Sequence, residues 1–410
     1  MKALVIIVEG LGAAMVGAYG SATSTTPAID RLAARSLVLD QCFLDSFDLE
    51  SQLRSLWTAR HANDPHRGDW NVWQAMADRG VPARLITDSS VAAREAEGYG
   101  CPQVTLVDVP EPVEPADDAD ECGLMHVFAA AIDELGRPET TGLVWVHARG
   151  LRHPWDAPID LRQAMIDPED PDPPSDVCIP DIVVDDKTDP DLVVGWGQVA
   201  AAQVAVLDEA IDALEQTISE RSDYDEWAWL IGSTGGTPLG EHGRIGGVCR
   251  EAFQEIISVP AIIRPRATPP VGTRRAELCQ LPDLPITLLV AMGAETDDAS
   301  TNGLWGRNLL RAGPPLVTTQ WPSIHGVAWM QHDGHTWIRT PAWSLMQTAE
   351  GTARLFVKPD DRWEVCDLSA RRDDVVEQLQ SLLPELREAT AESRREGLPQ
   401  LDSLLTSLIR

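Results

Sequence analysis

The stretch Ala3-Leu4-Val5-Ile6-Ile7-Val8-Glu9-Gly10 is an unbroken apolar run that passes directly into an acidic residue and a glycine. An apolar run without polar alternation is typical of a strand that is covered on both faces, as strands of parallel sheets are. Only one basic residue precedes the run, and no small-residue cleavage site follows it. The sequence therefore predicts a first strand here and not a signal peptide.

Short apolar runs then alternate with helix-like segments. The predicted strands are Ala3–Val8, Ala83–Thr87, Thr141–His147, Glu226–Ile231 and Val259–Ile263. The predicted helices are Thr26–Arg35, Leu124–Leu135 and Val199–Ile218. This alternation indicates parallel strands joined by crossover helices, and hence an α/β fold with a doubly wound, mostly parallel sheet.

A change in the pattern near residue 321 predicts a second, smaller domain. Within the α/β domain, 1–320, the acidic and proline-rich residues 165–192 predict an exposed loop. In 321–410, short strand candidates alternate with Asp, Gly and Pro turns, which indicates a small antiparallel sheet followed by a helix. The candidate strands are Gly326–Gln331, Thr336–Arg339, Ala353–Val357 and Glu364–Leu368, and the candidate helix is Asp373–Leu383.

Composition limits the partners. The 410 residues carry a net charge of −31, with a pI of about 4.5. This charge repels nucleic acid and anionic membrane surfaces, and it disfavours polyanionic substrates unless a local basic pocket overrides it. No run approaches the 18 or so apolar residues that span a bilayer. The seven cysteines are scattered without CxxC spacing, which is typical of reduced thiols in a cytoplasmic protein.

The Gly10-Leu11-Gly12 turn after the first strand resembles the opening of a dinucleotide-binding motif. The third glycine of that motif is replaced by Met15, however, so we expect no nicotinamide or flavin cofactor.

Further short motifs follow one another along nearly the whole chain. The opening segment carries Glu9-Gly10, then Ala18-Tyr19-Gly20, then Thr26-Pro27 and a helix. The later motifs are Ser51–Arg60, His153-Pro154-Trp155, Val204–Asp208, Gly232-Ser233-Thr234-Gly235-Gly236, Leu239–Gly243, Val259–Arg264, Leu281–Leu289 and Asp360–Leu368. In this order they resemble the sulfatase family of the alkaline-phosphatase-like superfamily, of which the chain looks like a degenerate member.

The resemblance implies a divalent cation held by two acids on the first strand and by an acid and a polar residue later in the chain. Here these family positions are occupied by Glu9, Gly10, Thr234 and Gly235. One carboxylate therefore remains where three acids are expected. Because charge count and ligand number set the affinity for a hard cation, we expect no bound metal and no other cofactor.

The resemblance also implies a formylglycine made from the first residue of a Cys/Ser-x-Pro-x-Arg turn. Counting back from Arg54 places this position at Glu50, and counting back from Thr58-Ala59-Arg60 places it at Leu49. Nearby Ser51 lacks the proline two residues on, and no cysteine lies in the motif. Formylglycine chemistry is therefore not expected.

Other catalytic positions are also changed. The strand that in the family ends in Gly-Lys-Trp-His ends here in Thr87-Asp88-Ser89-Ser90, which removes a lysine and a histidine. Arg54, His153 and His242 remain. Each is explained either by structural hydrogen bonds or as part of a vestigial anion pocket where the strands end. The candidate pocket residues are Glu50, Arg54, Asp88, His153 and His242, and we expect Glu9, Arg54, Asp88, His153, Thr234 and His242 to lie close together.

Three functional hypotheses follow. The first is a non-catalytic pseudoenzyme that binds an unknown protein or small molecule. The second is an active sulfuric or phosphoric ester hydrolase with a rebuilt site, which would use a divalent cation such as Ca²⁺ or Mg²⁺. Side chains available for such a site are Glu9, Asp48, Glu50, Asp88, His147, His153 and His242. The third is a homo-oligomeric structural protein, suggested by 14 tryptophans, some of them expected at the surface.

Overall fold

The computed structural model describes residues 1–66, 68–167, 169–267, 272–294, 304–310, 326–393, 398 and 401–406. Within these residues the strands are β1 (Lys2–Val8), β2 (Leu37–Phe43), β3 (Ala83–Thr87), β4 (Val104–Leu106), β5 (Leu143–Ala148), β6 (Asp181–Val183), β7 (Trp227–Ser233), β8 (Arg244–Gly246), β9 (Ser258–Val259), β10 (Ala261–Arg264), β11 (Thr273–Gln280), β12 (Ala328–His332), β13 (His335–Arg339), β14 (Trp343–Gln347) and β15 (Ala353–Val357). The helices are α1 (Pro27–Ala33), α2 (Leu49–Thr58), α3 (Val72–Ala77), α4 (Ser90–Gly98), α5 (Gly123–Leu135), α6 (Ile159–Gln163), α7 (Pro190–Ser219), α8 (Gln254–Ile257), α9 (Asp283–Ala291), α10 (Asp373–Ser381), α11 (Leu383–Ala391) and α12 (Ser403–Thr406).

A nine-stranded, mostly parallel sheet forms the centre of the molecule. Its strand order is β11-β2-β10-β7-β1-β5-β3-β4, and β9 pairs with β2. Strand β10 runs antiparallel to both of its neighbours, β7 and β2, whereas β7, β1, β5 and β3 are mutually parallel. A separate antiparallel sheet, β12-β13-β14-β15, lies near the C-terminus. The predicted fold class is confirmed.

Strand β1 lies in the middle of the sheet and is covered on both faces. Leu4, Ile6 and Val8 pack into a core with α5 and α7, whereas the alternate residues Ala3, Val5 and Ile7 pack into a second core with α2 and α9. Successive side chains of a strand point to opposite faces, so an unbroken apolar run is what two covered faces require. The opening residues thus dictate a sheet between two helical layers.

Helix α7 is the one described helix that is long and apolar enough to cross a membrane, with a mean hydropathy of 1.2 over its most apolar window. Of that window, 61% is buried inside the fold. The helix packs against the central sheet as part of the core that contains Leu4, Ile6 and Val8.

Two C-terminal predictions are wrong. Glu364–Leu368 is not a strand, because the Asp361 carboxylate accepts the backbone N–H groups of Val365 and Cys366 and holds the segment in a turn. The strand that the sequence did not predict is β14, the third of the small sheet, which pairs with β13 and β15. The predicted helix Asp373–Leu383 is interrupted after Ser381, and a new helix, α11, begins at Leu383 with Pro384 in its first turn.

The predicted loop 165–192 contains regular structure at its end. Residues of β6 pair with β8, and α7 begins at Pro190, where a proline needs no N–H partner and the Asp189 carboxylate caps the helix. The predicted helix start at Val199 was therefore nine residues late. The proposed domain boundary at 320/321 lies outside the described residues. Of the described tryptophans, Trp363 alone is more than a third exposed.

Candidate functional site

The carboxyl ends of four adjacent parallel strands define the candidate site. In the order β7-β1-β5-β3 these strands end at Ser233, Val8, Ala148 and Thr87. The next residues along the chain are Thr234, Glu9, Arg149 and Asp88. Neighbouring strands lie about 4.8 Å apart, so the fold brings these four positions to one edge within about 15 Å of each other. This edge is where open α/β sheets bind ligands.

Glu9, at the end of β1, is engaged by a histidine of the next strand. Its Oε1 atom lies 2.9 Å from Nε2 of His147, which is fully buried. Arg152 lies near this pair and donates to the carbonyl oxygens of Gly236 and Gly247. Burial lowers the pKa of Arg152, and the neighbouring Glu9 carboxylate opposes this effect. The Glu9 carboxylate, which the resemblance proposed as a metal ligand, therefore already contacts the His147 imidazole and lies near the Arg152 guanidinium.

Asp88, at the end of β3, is engaged by an arginine at the end of β5. The backbone N–H and the Nε atom of Arg149 donate to its two carboxylate oxygens at 2.8 and 3.1 Å. Arg149 also lies 3.5 Å from Glu111, whose carboxylate is 4.0 Å from His153 Nε2. Burial and the charge of Arg149 lower the pKa of His153. This imidazole is therefore neutral at neutral pH and is too far from Glu111 for a hydrogen bond.

The N-terminal turn of α2 carries Leu49 and Glu50, the two positions that the resemblance proposed for a nucleophile. The carboxylate of Asp48 caps the helix by accepting the Ser51 N–H at 2.9 Å. Glu50 is exposed and forms an ion pair with Arg94 on α4. The side chain at this position is therefore an anionic surface residue engaged by a neighbouring helix.

Arg54, one turn further along α2, supports the loop that follows the helix. Its guanidinium donates to the carbonyl oxygen of Ala62. The same guanidinium lies close to the fully buried carboxylate of Asp45. Burial raises the pKa of Asp45 to about 6, against the stabilising hydrogen bonds from Ser55 and Ala62 and the charge of Arg54. These contacts give Arg54 a structural role.

The loop after β7 closes the edge against the first strand. The hydroxyl of Thr237 donates to the Gly10 carbonyl at 2.9 Å. Gly10 has φ +83°, and a Cβ atom placed on it would lie 2.9 Å from Thr237 Oγ1 and 3.0 Å from Leu151 Cβ. A side chain at Gly10, the residue that the resemblance places at a metal position, would therefore clash with its neighbours. Thr234 Oγ1 is buried and has no hydrogen-bond partner among the described residues.

His242 contacts the C-terminal part of the chain. Its Nδ1 atom lies 2.7 Å from the Glu255 carboxylate, its Nε2 atom lies 3.3 Å from the Glu364 carbonyl oxygen, and its ring stacks on Phe253 with centroids 3.6 Å apart. Burial alone would lower the pKa of His242, but the hydrogen bond and charge of Glu255 raise it.

Of the residues predicted to share a pocket, some are linked by contacts and others contact different parts of the chain. Asp88 and His153 share a network through Arg149 and Glu111. Glu9 lies at the same sheet edge, whereas Arg54 and His242 make the separate contacts described above. Sequence reasoning missed Arg149, although it follows β5 just as Glu9 follows β1 and Asp88 follows β3. Glu111 comes from a loop and has no such signal.

The residues present do not fit the divalent cation that the family would hold. The described residues contain no group of three or more His, Cys, Asp or Glu side chains arranged to hold a metal ion. A hard cation takes six or more oxygen ligands, and its affinity rises with the number of carboxylates among them. At this edge Glu9 already faces His147, and Gly10 has no room for a carboxylate.

No protein-family model and no curated protein matches the sequence. Solved structures do match. One is a protein in complex with its substrate D-glucosamine-2-N,6-O-disulfate, with TM-score 0.72 and 14% identity over 95% of this chain and 98% of that chain. A second is the phosphonate monoester hydrolase of Agrobacterium radiobacter, with TM-score 0.69 and 14% identity over 95% and 96%. A third is a 2-O GAG sulfatase, with TM-score 0.67 and 14% identity over 96% and 93%.

These likenesses extend over nearly the whole length of both chains in each pair. The chain therefore has the fold of these sulfatase and phosphonate monoester hydrolase structures, as the order of its motifs predicted. At 14% identity the likeness establishes the fold, and the chemistry has to be argued from the site itself.

Proposed function

We propose that this chain is a non-catalytic sulfatase-fold protein, a pseudoenzyme that acts by binding. The observation that supports this most directly is the internal pairing of its strand-end carboxylates. Glu9 lies 2.9 Å from His147, and Asp88 accepts from Arg149 at 3.1 Å. Catalysis at such an edge needs charges that are free to act on the substrate, whereas here Glu9 is already hydrogen-bonded to His147 and Asp88 is already paired with Arg149.

The proposal includes the absence of a divalent metal. Gly10 cannot be replaced by an acid without a clash, and Gly235 carries no side chain at the second pair of family positions. That leaves the Glu9 carboxylate and the Thr234 hydroxyl. Because a single carboxylate, itself hydrogen-bonded to His147, and one hydroxyl supply little charge and few ligands, the edge would bind Ca²⁺ or Mg²⁺ only weakly.

The proposal also includes the absence of an activated nucleophile. A hydroxyl or carboxylate nucleophile needs a base or a depressed pKa within hydrogen-bond reach. Glu50 is exposed and paired with Arg94, and Leu49 has no reactive group. Ser51 contributes its backbone N–H to the Asp48 cap, and its hydroxyl has no base as a hydrogen-bond partner in the part of the chain that the structure describes.

One observation favours the alternative of an active ester hydrolase with a rebuilt site. His147 Nδ1 and Thr234 Oγ1 are buried polar atoms without a hydrogen-bond partner among the described residues, and they flank Glu9 on either side. Buried polar atoms usually have a hydrogen-bond partner, so two such atoms without one are consistent with a ligand that binds between them. A carboxylate and an imidazole in contact are also a combination that general acid–base catalysis uses.

Turnover assays distinguish the two functions. Aryl sulfates, phosphomonoesters, phosphodiesters and phosphonate monoesters should not be hydrolysed above background, with or without added Ca²⁺ or Mg²⁺. Two variants provide the matched comparison, Glu9→Gln at the sheet edge and Glu50→Gln at the exposed ion pair. Turnover that Glu9→Gln abolishes and Glu50→Gln preserves would establish the hydrolase and refute the pseudoenzyme.

A further inference from the structure

A cleft of about 310 Å³ lies where the central sheet meets the C-terminal sheet. The loop after β1 and strand β2 form one side, and the end of β13 and residues 358–363 form the other. None of the strand-end residues Glu9, Asp88, His147 and Arg149 lines it. It is therefore a cavity distinct from the strand-end edge, although one of its lining residues, Glu255, is the partner of His242.

Cations outnumber carboxylates in the lining of this cleft, whereas carboxylates outnumber cations in the whole protein. The chain has 33 Lys and Arg residues and 64 Asp and Glu residues. The cleft is lined by four cations and two carboxylates, so the proportion is reversed. The cations are Arg274, Arg339, Lys358 and Arg362, and the carboxylates are Asp40 and Glu255. A local concentration of positive charge in so acidic a protein would attract an anion that the rest of the surface repels.

Two of the four cations are buried, and their partners differ. Lys358 is 2% exposed and lies 3.0 Å from the Glu364 carboxylate, which is equally buried. Arg339 is 5% exposed, and its described hydrogen bonds go to neutral oxygens, the carbonyls of Thr340 and Trp343 and the side chain of Gln41. The ion pairs described for these four cations join Lys358 to Glu364 and Arg274 to Asp40, and none of them includes Arg339.

The environment of Arg339 leaves its charge poorly compensated. Burial lowers the pKa of Arg339 to about 9, and the more distant Glu364 offsets this only in part. A buried charge without an ionic partner is costly, and an anion that enters beside it removes part of that cost. The interior of the cleft therefore favours a negatively charged group.

Arg362 and Trp363 form the mouth of the cleft. Arg362 is exposed, donates one hydrogen bond to the Tyr19 carbonyl at 3.0 Å, and lies over the Trp363 ring at 5.0 Å. A guanidinium has five N–H donors, so most of those of Arg362 remain available to a ligand. Trp363 is 52% exposed and offers a flat apolar face next to these donors. Aromatic faces of this kind stack against planar rings.

We propose that this cleft binds a small molecule that carries a single oxyanion group on a flat ring, with the oxyanion on the arginines and the ring against Trp363. The site differs from the strand-end edge, so the inference stands whether or not that edge is catalytic. A single small anion also fits the volume, whereas a polyanion would meet the repulsion of the −31 background.

Isothermal titration of the full-length protein with four probes tests the proposal. Benzenesulfonate, phenylphosphonate and benzoate carry an oxyanion on a ring and contain no ester bond, so hydrolysis does not enter the measurement. Benzyl alcohol is the uncharged probe. We expect at least one ring anion to bind about tenfold or more tightly than benzyl alcohol at low salt, and to weaken as salt is added.

Two surface variants locate the binding. Arg362→Gln removes the charge at the mouth, Trp363→Ala removes the aromatic face, and both positions are exposed enough to leave folding intact. Each should weaken the ring anion about tenfold or more. Arg137→Gln removes the same charge from an exposed position outside the cleft and should leave affinity unchanged. Ring anions that bind no better than benzyl alcohol, or equally well to Arg362→Gln and to wild type, would overturn the proposal.

Discussion

An acidic side chain at Gly10 should destabilise the protein instead of restoring a metal site. The loss of stability can be estimated from the packing around Gly10. Its φ of +83° costs a side chain about 1–2 kcal/mol, because the left-handed region brings Cβ close to the backbone. An added Cβ atom would lie 2.9 Å from Thr237 Oγ1 and 3.0 Å from Leu151 Cβ. Overpacking of this kind costs about a further 1–3 kcal/mol. Gly10→Ala should therefore lower the free energy of unfolding by about 2–5 kcal/mol.

Gly80 provides the matched control. It has φ +64°, and no atom lies within 4 Å of an added Cβ. Gly80→Ala should therefore show the backbone cost alone, about 1–2 kcal/mol. Urea denaturation of both variants, together with Gly10→Asp and Gly80→Asp, separates the steric effect from the effect of the new carboxylate.

Calcium added to Gly10→Asp completes the test. We expect no calcium-dependent rise in its stability, because Glu9 stays paired with His147 and the oxygen ligands remain too few. A Gly10→Asp variant as stable as Gly80→Asp would refute the argument from packing. A Gly10→Asp variant that saturating calcium stabilises by several kcal/mol would refute the argument from ligand number.

Three further predictions concern other parts of the molecule. Lys358→Met leaves the Glu364 carboxylate buried without its partner, so urea denaturation should show a loss of about 3–5 kcal/mol, whereas replacing both members with apolar residues should cost less. The raised pKa of His242 means that the folded protein binds this proton more tightly than the unfolded chain does. Its contribution to stability is complete below the ordinary pKa near 6.5 and is lost as the pH rises through the raised value, so His242→Gln should flatten the stability profile in that window, and an unchanged profile would contradict the pairing with Glu255. Asp208 accepts two backbone N–H groups at the start of α1, both at 2.9 Å, so Asp208→Ala should cost about 1.5–3 kcal/mol in thermal or urea unfolding, and a neutral effect would show that water replaces the cap.

The parts of the fold that follow from local pattern were predictable. The apolar run of β1, the bounds of β3 and the strand Ala353–Val357 need only periodicity and flanking turns. Strand β14 was missed because its pairing with β13 and β15 is a tertiary property. Glu364–Leu368 has strand-like composition, but hydrogen bonds from its backbone to Asp361 bend it into a turn.

For the candidate site, the sheet edge could be predicted from the sequence, but the side-chain pairs at that edge could not. Glu9 and Asp88 could be placed at one edge because parallel strands end on the same side of a sheet. Which side chains pair there depends on strand order, and the order β1-β5-β3 puts His147 beside Glu9 and Arg149 beside Asp88. No spacing in the sequence encodes that order. The cleft at Arg339 and Arg362 joins residues from distant parts of the chain and was outside the reach of motif reasoning for the same reason.

Elemental analysis of the purified protein for calcium, magnesium, manganese and zinc tests the central claim most directly. We predict no stoichiometric divalent metal and a melting temperature that chelators leave unchanged, because His147 and Arg149 already occupy hydrogen-bonding positions on the strand-end carboxylates. A bound metal stabilises a folded protein by several kcal/mol when the site is saturated, so its removal would be visible. One equivalent of metal per chain, together with a large chelator-induced fall in melting temperature, would contradict the account.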